Sequence, residues 1–312
     1  MTRDSEKAIA SLQKYIDSLG DDIQSEEDLN DVLQEFMQKY NAGLNDTHRD
    51  PDIYDLEDMA DRAPTKKEKL ASLQKALALD PNNLDIQREI TRTNITSPLA
   101  YLDALREMKA NADNTFMHPY LEEYVGEFYL QFETRPYIRL LKEMADLYAS
   151  LDMFTKAAET DQEILRLNPD DHTGARFQLI AVYAVMEQEE KAQKLYDSFC
   201  SDCPESFFAL CMSIVCFKKD EEEKAYDWLM KLCSVNDDTD RFFRDLCEDT
   251  MPAEMQETIT QDAYRPDSYS ELAVMYLRAN DFLAAFSSYY PVWADQRLEE
   301  RALESSGDIS IA

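Results

Sequence analysis

The sequence predicts an all-α protein, an α-α superhelix of tandem helical hairpins, and three observations carry that reading. Only 5 Gly and 11 Pro occur in 312 residues, too few turn-formers for a many-stranded β protein but enough for helices with short connections. Two amphipathic stretches end alike, at "LALDPNN" (Leu77 to Asn83) and "LRLNPDD" (Leu165 to Asp171), where Pro stops a helix and Asn or Asp shapes the turn. Small and aromatic residues then recur at fixed offsets, the mark of a stacked array.

The offsets are clearest from Leu140 onward. Ala145, Tyr148, Ala157 and Pro169 are followed 35 residues later by Tyr183 (148+35), Ala192 (157+35) and Pro204 (169+35). A third unit places Ala225 33 residues after Ala192, with Cys216 in the aromatic position. A fourth repeats the internal spacing in Ala273, Tyr276 and Ala285. Two antiparallel helices approach closely only where small side chains face each other, and an aromatic fills the gap beside the crossing. A single hairpin of this kind cannot bury its own apolar face, so it stacks on its neighbours. These are the places where tetratricopeptide repeats use a small residue, an aromatic, a second small residue and a terminating proline.

In chain order, residues 1–49 are expected to be an N-terminal helical region. Residues 50–131 hold degenerate hairpins and a bridging helix. Within them Ala60 and Ala76 take the small positions, Lys69 stands where a small residue is usual, and Ser97 and Pro98 signal a helix start. The bridging helix is placed at Thr115 to Gln131. Residues 132–235 carry the regular repeats, 236–265 an irregular helical insertion without the small residues, 266–303 a C-terminal repeat and 304–312 a tail.

The segments "FETRPYIR", "LRLNPDDHTGAR", "RAPTKKEKLASLQKALALDPNN" and "DVLQEFMQKYN" together resemble a family of bacterial tetratricopeptide-repeat proteins, from about Asp31 to Cys233. The resemblance implies an α-α superhelix and a protein-interaction role, with no catalytic set to carry over. Repeats of this class that grip acidic chaperone C-termini use a clamp of Lys, Asn and Arg on successive first helices. Arg139 and Lys142 match it only in part, because the next faces offer Phe177, Ala181 and Ala184, then Leu210 and Ile214, without asparagine.

In "FETRPYIRLL" Thr134 and Pro136 suit a helix start, but Arg135 is out of place, since a cation there forgoes roughly 0.3 to 1 kcal/mol relative to an anion. Arg135, Arg139 and Lys142 form a basic stripe at helical spacing. One reading has Glu133, Glu143 or another acid neutralise the stripe as a structural joint. The other joins it to Arg176 as a basic pocket in a concave groove, for an acidic peptide, a carboxylate or a phosphate. Phe177, Phe207, Leu210 and Phe217 lie on first helices and either line that groove or fill the core.

Acids outnumber bases 64 to 32, for a formal net charge of -32, so nucleic acid and anionic membranes are excluded as partners. The acid run from Asp21 to Asp31 and the acid-rich stretch from Asn236 to Tyr264 are read either as solvated surface or as a decoy for a basic protein. The longest nearly apolar run, "FFALCMSIVCF", is 11 residues, short of the roughly 18 a membrane span needs. The start, "MTRDSEKAIASLQKYI", lacks the apolar core of a secretory signal. A cytoplasmic monomer or homodimer that binds a protein or peptide is expected. Six cysteines crowd the C-terminal half as reduced thiols; Cys200 and Cys203 form one C-x2-C with no answering pair, and His48, His118 and His172 are solitary. No glycine-rich phosphate loop, nucleophile elbow or paired metal motif occurs, so no cofactor, metal or catalytic residue is expected.

Overall fold

The computed structural model describes residues 3–19, 26–41, 51–201, 204–251, 264–283 and 289–306. Ala285, Cys203, His48 and much of both acid-rich stretches lie outside the described residues. Among the described residues there are sixteen helices and no strand. They pack as sequential hairpins in two units, Met1–Met117 with Leu130–Pro136, and His118–Tyr129 with Tyr137–Ala312.

The first unit contains α1 (Arg3–Leu19), α2 (Glu26–Asn41), α3 (Ile53–Asp61), α4 (Lys66–Leu79), α5 (Leu84–Asn94) and α6 (Pro98–Asn114). Local chemistry sets the starts of α3 to α6. Asp52 and Asp55 exchange a reciprocal capping box at α3, Thr65 caps α4 through the Glu68 amide, Asn83 caps α5 through Ile86, and Ser97 precedes Pro98 at α6. Each such cap is worth about 1 kcal/mol.

Neighbours in sequence pack together, α3 on α4, α4 on α5 and α5 on α6. Their shared core is Leu56, Ala60, Leu73, Ala76 and Ile86, so the two alanines sit at the hairpin crossing. Lys69, in the place of a small residue, pairs with Glu89 of α5 at 2.5 Å.

The second unit begins with a short α7 (His118–Glu123) and continues through α8 (Arg135–Ser150), whose first two residues belong to the first unit. The bridging helix expected over Thr115 to Gln131 is limited to these six residues of α7. A turn from Tyr124 to Glu127 follows, closed by the Glu127 amide on the Tyr124 carbonyl at 2.9 Å, with Gly126 at φ 94°, a conformation costly for any residue with a Cβ. The Phe128 amide then bonds the Leu167 carbonyl at 3.1 Å.

The regular array follows in α9 (Phe154–Leu167), α10 (Ala175–Val185), α11 (Glu189–Cys200), α12 (Ser206–Lys218) and α13 (Glu222–Val235). Ala145, Ala157, Ala192, Ala225 and Ala273 are all 0% exposed, as the crossings require. The turns inside the hairpins repeat as well. The amides of Met153, Gln188 and Glu221 bond back to the carbonyls of Tyr148, Tyr183 and Cys216, at 2.8, 2.9 and 3.0 Å. The residue before each, Asp152, Glu187 and Asp220, has a left-handed backbone at φ 57°, 58° and 62°. Their spacings, 187−152=35 and 220−187=33, equal those of the alanines. Each turn is therefore a Schellman motif built without glycine.

Beyond α13 lie α14 (Thr239–Glu248), α15 (Tyr269–Leu283) and α16 (Tyr290–Ser306). Helix α12 touches α10, α11, α13 and α15, and α15 reaches α10 as well. Every residue from Ser206 to Cys216 is buried. That explains the eleven-residue apolar run, since a helix enclosed on all sides has no polar face to show. Among the described residues no helix is long and apolar enough to cross a membrane.

Candidate functional site

Arg135 is 3% exposed, its guanidinium lies 3.6 Å from Glu6 of α1, and its face covers the Phe132 ring at 4.3 Å. Thr134 precedes the helix and donates its hydroxyl to the Gln131 carbonyl. A buried carboxylate thus meets the cation that helix electrostatics leave unexplained. The expectation of Glu133, Glu143 or another acid is met for Arg135 by the last alternative, Glu6, which nothing near the arginine in sequence singles out.

In the second unit Lys142 pairs with Asp146 and donates to Gln178 Oε1 at 2.8 Å, while Gln178 Nε2 bonds the Ala145 carbonyl at 3.0 Å. The lysine therefore ties α8 to α10. Arg139, on the same helix, is half-buried. Arg176 bridges Asp171 at 3.0 Å and Glu205 at 3.2 Å and stacks 4.2 Å above Phe177. Asp171 also accepts the amides of Ala175 and Arg176, so one carboxylate caps α10 and anchors the arginine.

The four apolar residues sort by depth. Phe207 (2% exposed) and Leu210 (0%) are core, and a place for them on an open groove wall is corrected by α15 packing over α10 and α12. Phe177 stands edge-on to Phe207 and Phe208 at 6.3 and 5.9 Å. Phe217 is half-buried beneath Tyr290 and Trp293 of α16, at 5.4 and 5.2 Å. These aromatic contacts bind helix to helix within the array.

Other polar clusters serve joints. Ser206 donates to Glu271 at 2.6 Å, Asn236 donates to the Ser268 carbonyl at 3.0 Å, and the Tyr269 amide bonds Asp238 at 2.9 Å. They seat α15 on α12 and on the start of α14. Burial pushes the Glu271 carboxyl up, against the Ser206 hydroxyl and Asp267 amide that lower it. His172 stacks on Tyr129 at 4.3 Å and meets Asn168 at 2.7 Å, and His118 lies 3.8 Å from Glu122 on the surface.

Among the described residues, one trio of possible metal ligands converges, Glu189, Cys216 and Glu221, within 4.8 Å of one another. Lys219 and Lys224 each pair with both glutamates. Burial, then the two carboxylates, push the Cys216 thiol up to about 11. With two ammonium groups present and a thiol that resists ionisation, the cluster is built as an ion-pair clamp between successive turns.

No family model matches the chain, and no curated protein does. Among solved structures, the crystal structure of MamA protein is similar, with a TM-score of 0.40 and 16% identity, covering 58% of this chain and 90% of that one.

Proposed function

We propose that the chain is a non-catalytic protein-protein interaction scaffold that meets a basic partner through its acidic outer surface. The carrying observation is the closure of its inner helices. With α10 and α12 covered by α15, and Phe207 and Leu210 in the core, the apolar groove expected of an open array has little surface left to offer. The chain carries a net charge of -32, which steers basic segments and repels polyanions. An acidic regulator, or a decoy occupying a nucleic-acid-binding protein, fits this reading, as does membership of the bacterial repeat family its motifs resemble.

A peptide-binding face is the second reading. It is supported by Arg139, Lys142 and Phe177, which keep part of their surface at the start of the regular array. Affinity capture across a salt series, with wild type and the Arg139→Glu, Lys142→Glu variant, separates the two. Partners lost with rising salt from both proteins support the outer surface. Partners lost only from the variant move the site to α8, and partners insensitive to both changes overturn the electrostatic basis.

A further inference from the structure

Asp161 of α9 is 0% exposed, and neither carboxyl oxygen has a hydrogen-bond partner among the described residues. The repeat register shows how unusual this is. Asp161 lies four residues after Ala157, and the same offset after Ala192 and Ala225 gives Tyr196 (192+4) and Leu229 (225+4). Both are buried, so this position asks for an apolar body, and an unpartnered carboxyl there costs stability.

The groups acting on it come from each neighbouring element. Helix α8 brings Lys142 and Asp146, the turn before α10 brings Asp171, and α10 brings Tyr183. Burial pushes the Asp161 carboxyl well up, Lys142 opposes it, and Asp146 and Asp171 reinforce it. Lys142 is the cation in this set, and it now faces Asp146 and Gln178.

We propose that Asp161 and Lys142 form a proton-linked switch at the joint between α8 and α10. With Asp161 protonated, Lys142 stays on Asp146 and Gln178 and the joint is tied. When Asp161 gives its proton to solvent, the buried carboxylate requires a counter-charge. Lys142 then swings inward, releasing Asp146 and Gln178 and loosening the helix pair. The direction follows from charge alone: rising pH opens the joint and falling pH closes it.

The test compares wild type, Asp161→Asn and Lys142→Met by carboxyl NMR and by hydrogen-exchange protection in α8 and α10, corrected for intrinsic exchange, from mildly acidic to mildly alkaline pH. Wild type is expected to show an Asp161 midpoint far above the ordinary carboxylate range. Protection should fall about tenfold across that midpoint, with no such step in Asp161→Asn, while Lys142→Met should start from the lower protection level and carry its Asp161 midpoint further up. Asp161→Leu, which restores the residue type of Leu229, serves if the asparagine variant does not fold. An Asp161 that titrates in the ordinary range overturns the switch, and so does a protection step that survives in Asp161→Asn or an Asp161 midpoint that Lys142→Met leaves unmoved.

Discussion

Arg135 and Glu6 stand 3.6 Å apart with side chains 4% and 5% exposed. The first cation of "FETRPYIRLL" is thus answered by an acid 129 positions earlier (135−6). A buried pair contributes little over an apolar replacement, but breaking it strands a charge at a cost of about 3 to 5 kcal/mol. Arg135→Ala should therefore lower stability by about 3 kcal/mol in urea unfolding. The Glu6→Ala, Arg135→Ala double variant should recover much of that. Additive losses would show that the two side chains act independently.

The left-handed residue at 187 offers a stabilising change. Glutamate pays about 1 kcal/mol to hold that conformation, and glycine holds it freely but gives back part of the gain through unfolded-chain entropy. Glu187→Gly is expected to raise stability by about 0.5 kcal/mol, with a smaller gain for Asp152→Gly, because aspartate tolerates the left-handed region better. Lys218 lies 3.5 Å from Glu187 but also donates to the Val185 carbonyl at 2.6 Å, so it keeps a partner when the glutamate is removed. A lower melting temperature for Glu187→Gly would contradict the Schellman assignment.

Glu271 predicts a pH dependence. Its folded-state carboxyl is raised, chiefly by burial, from an ordinary value of 4.5. As pH rises the unfolded chain ionises first, so stability declines from about that value upward through the folded value and then levels off. Asp161 contributes a slope of the same sign. Glu271→Gln keeps an acceptor for Ser206 and the Asp267 amide while removing the charge, and should make stability less pH-dependent between mildly acidic and neutral conditions. A slope identical to wild type would mean that Glu271 does not ionise differently on folding.

Much of the architecture was legible in the chain because its causes are short-range. The Pro and Asn endings, the Ser97 to Pro98 start and the spacing of Ala145, Tyr148 and Ala157 act within one hairpin or between adjacent ones, so periodicity exposes them. The stretch from Thr115 to Gln131 is the exception. Its composition is helical, yet the helix stops at Glu123 and a turn from Tyr124 to Glu127, with Gly126 at φ 94°, follows it.

The sequence by itself therefore determined the helices, their hairpin pairing and the acidic balance. Only the tertiary structure decided that Arg135 belongs to Glu6, that Arg176 serves Asp171 and Glu205, and that α15 and α16 close over Phe207, Leu210 and Phe217. The physical reason is separation. Helix caps and crossing residues are set by neighbours a few positions or one repeat away, whereas the partner of a charge, or the lid over an apolar face, depends on which distant surfaces meet. With 64 acids to 32 bases, composition makes carboxylates abundant around every cation without naming which one it meets.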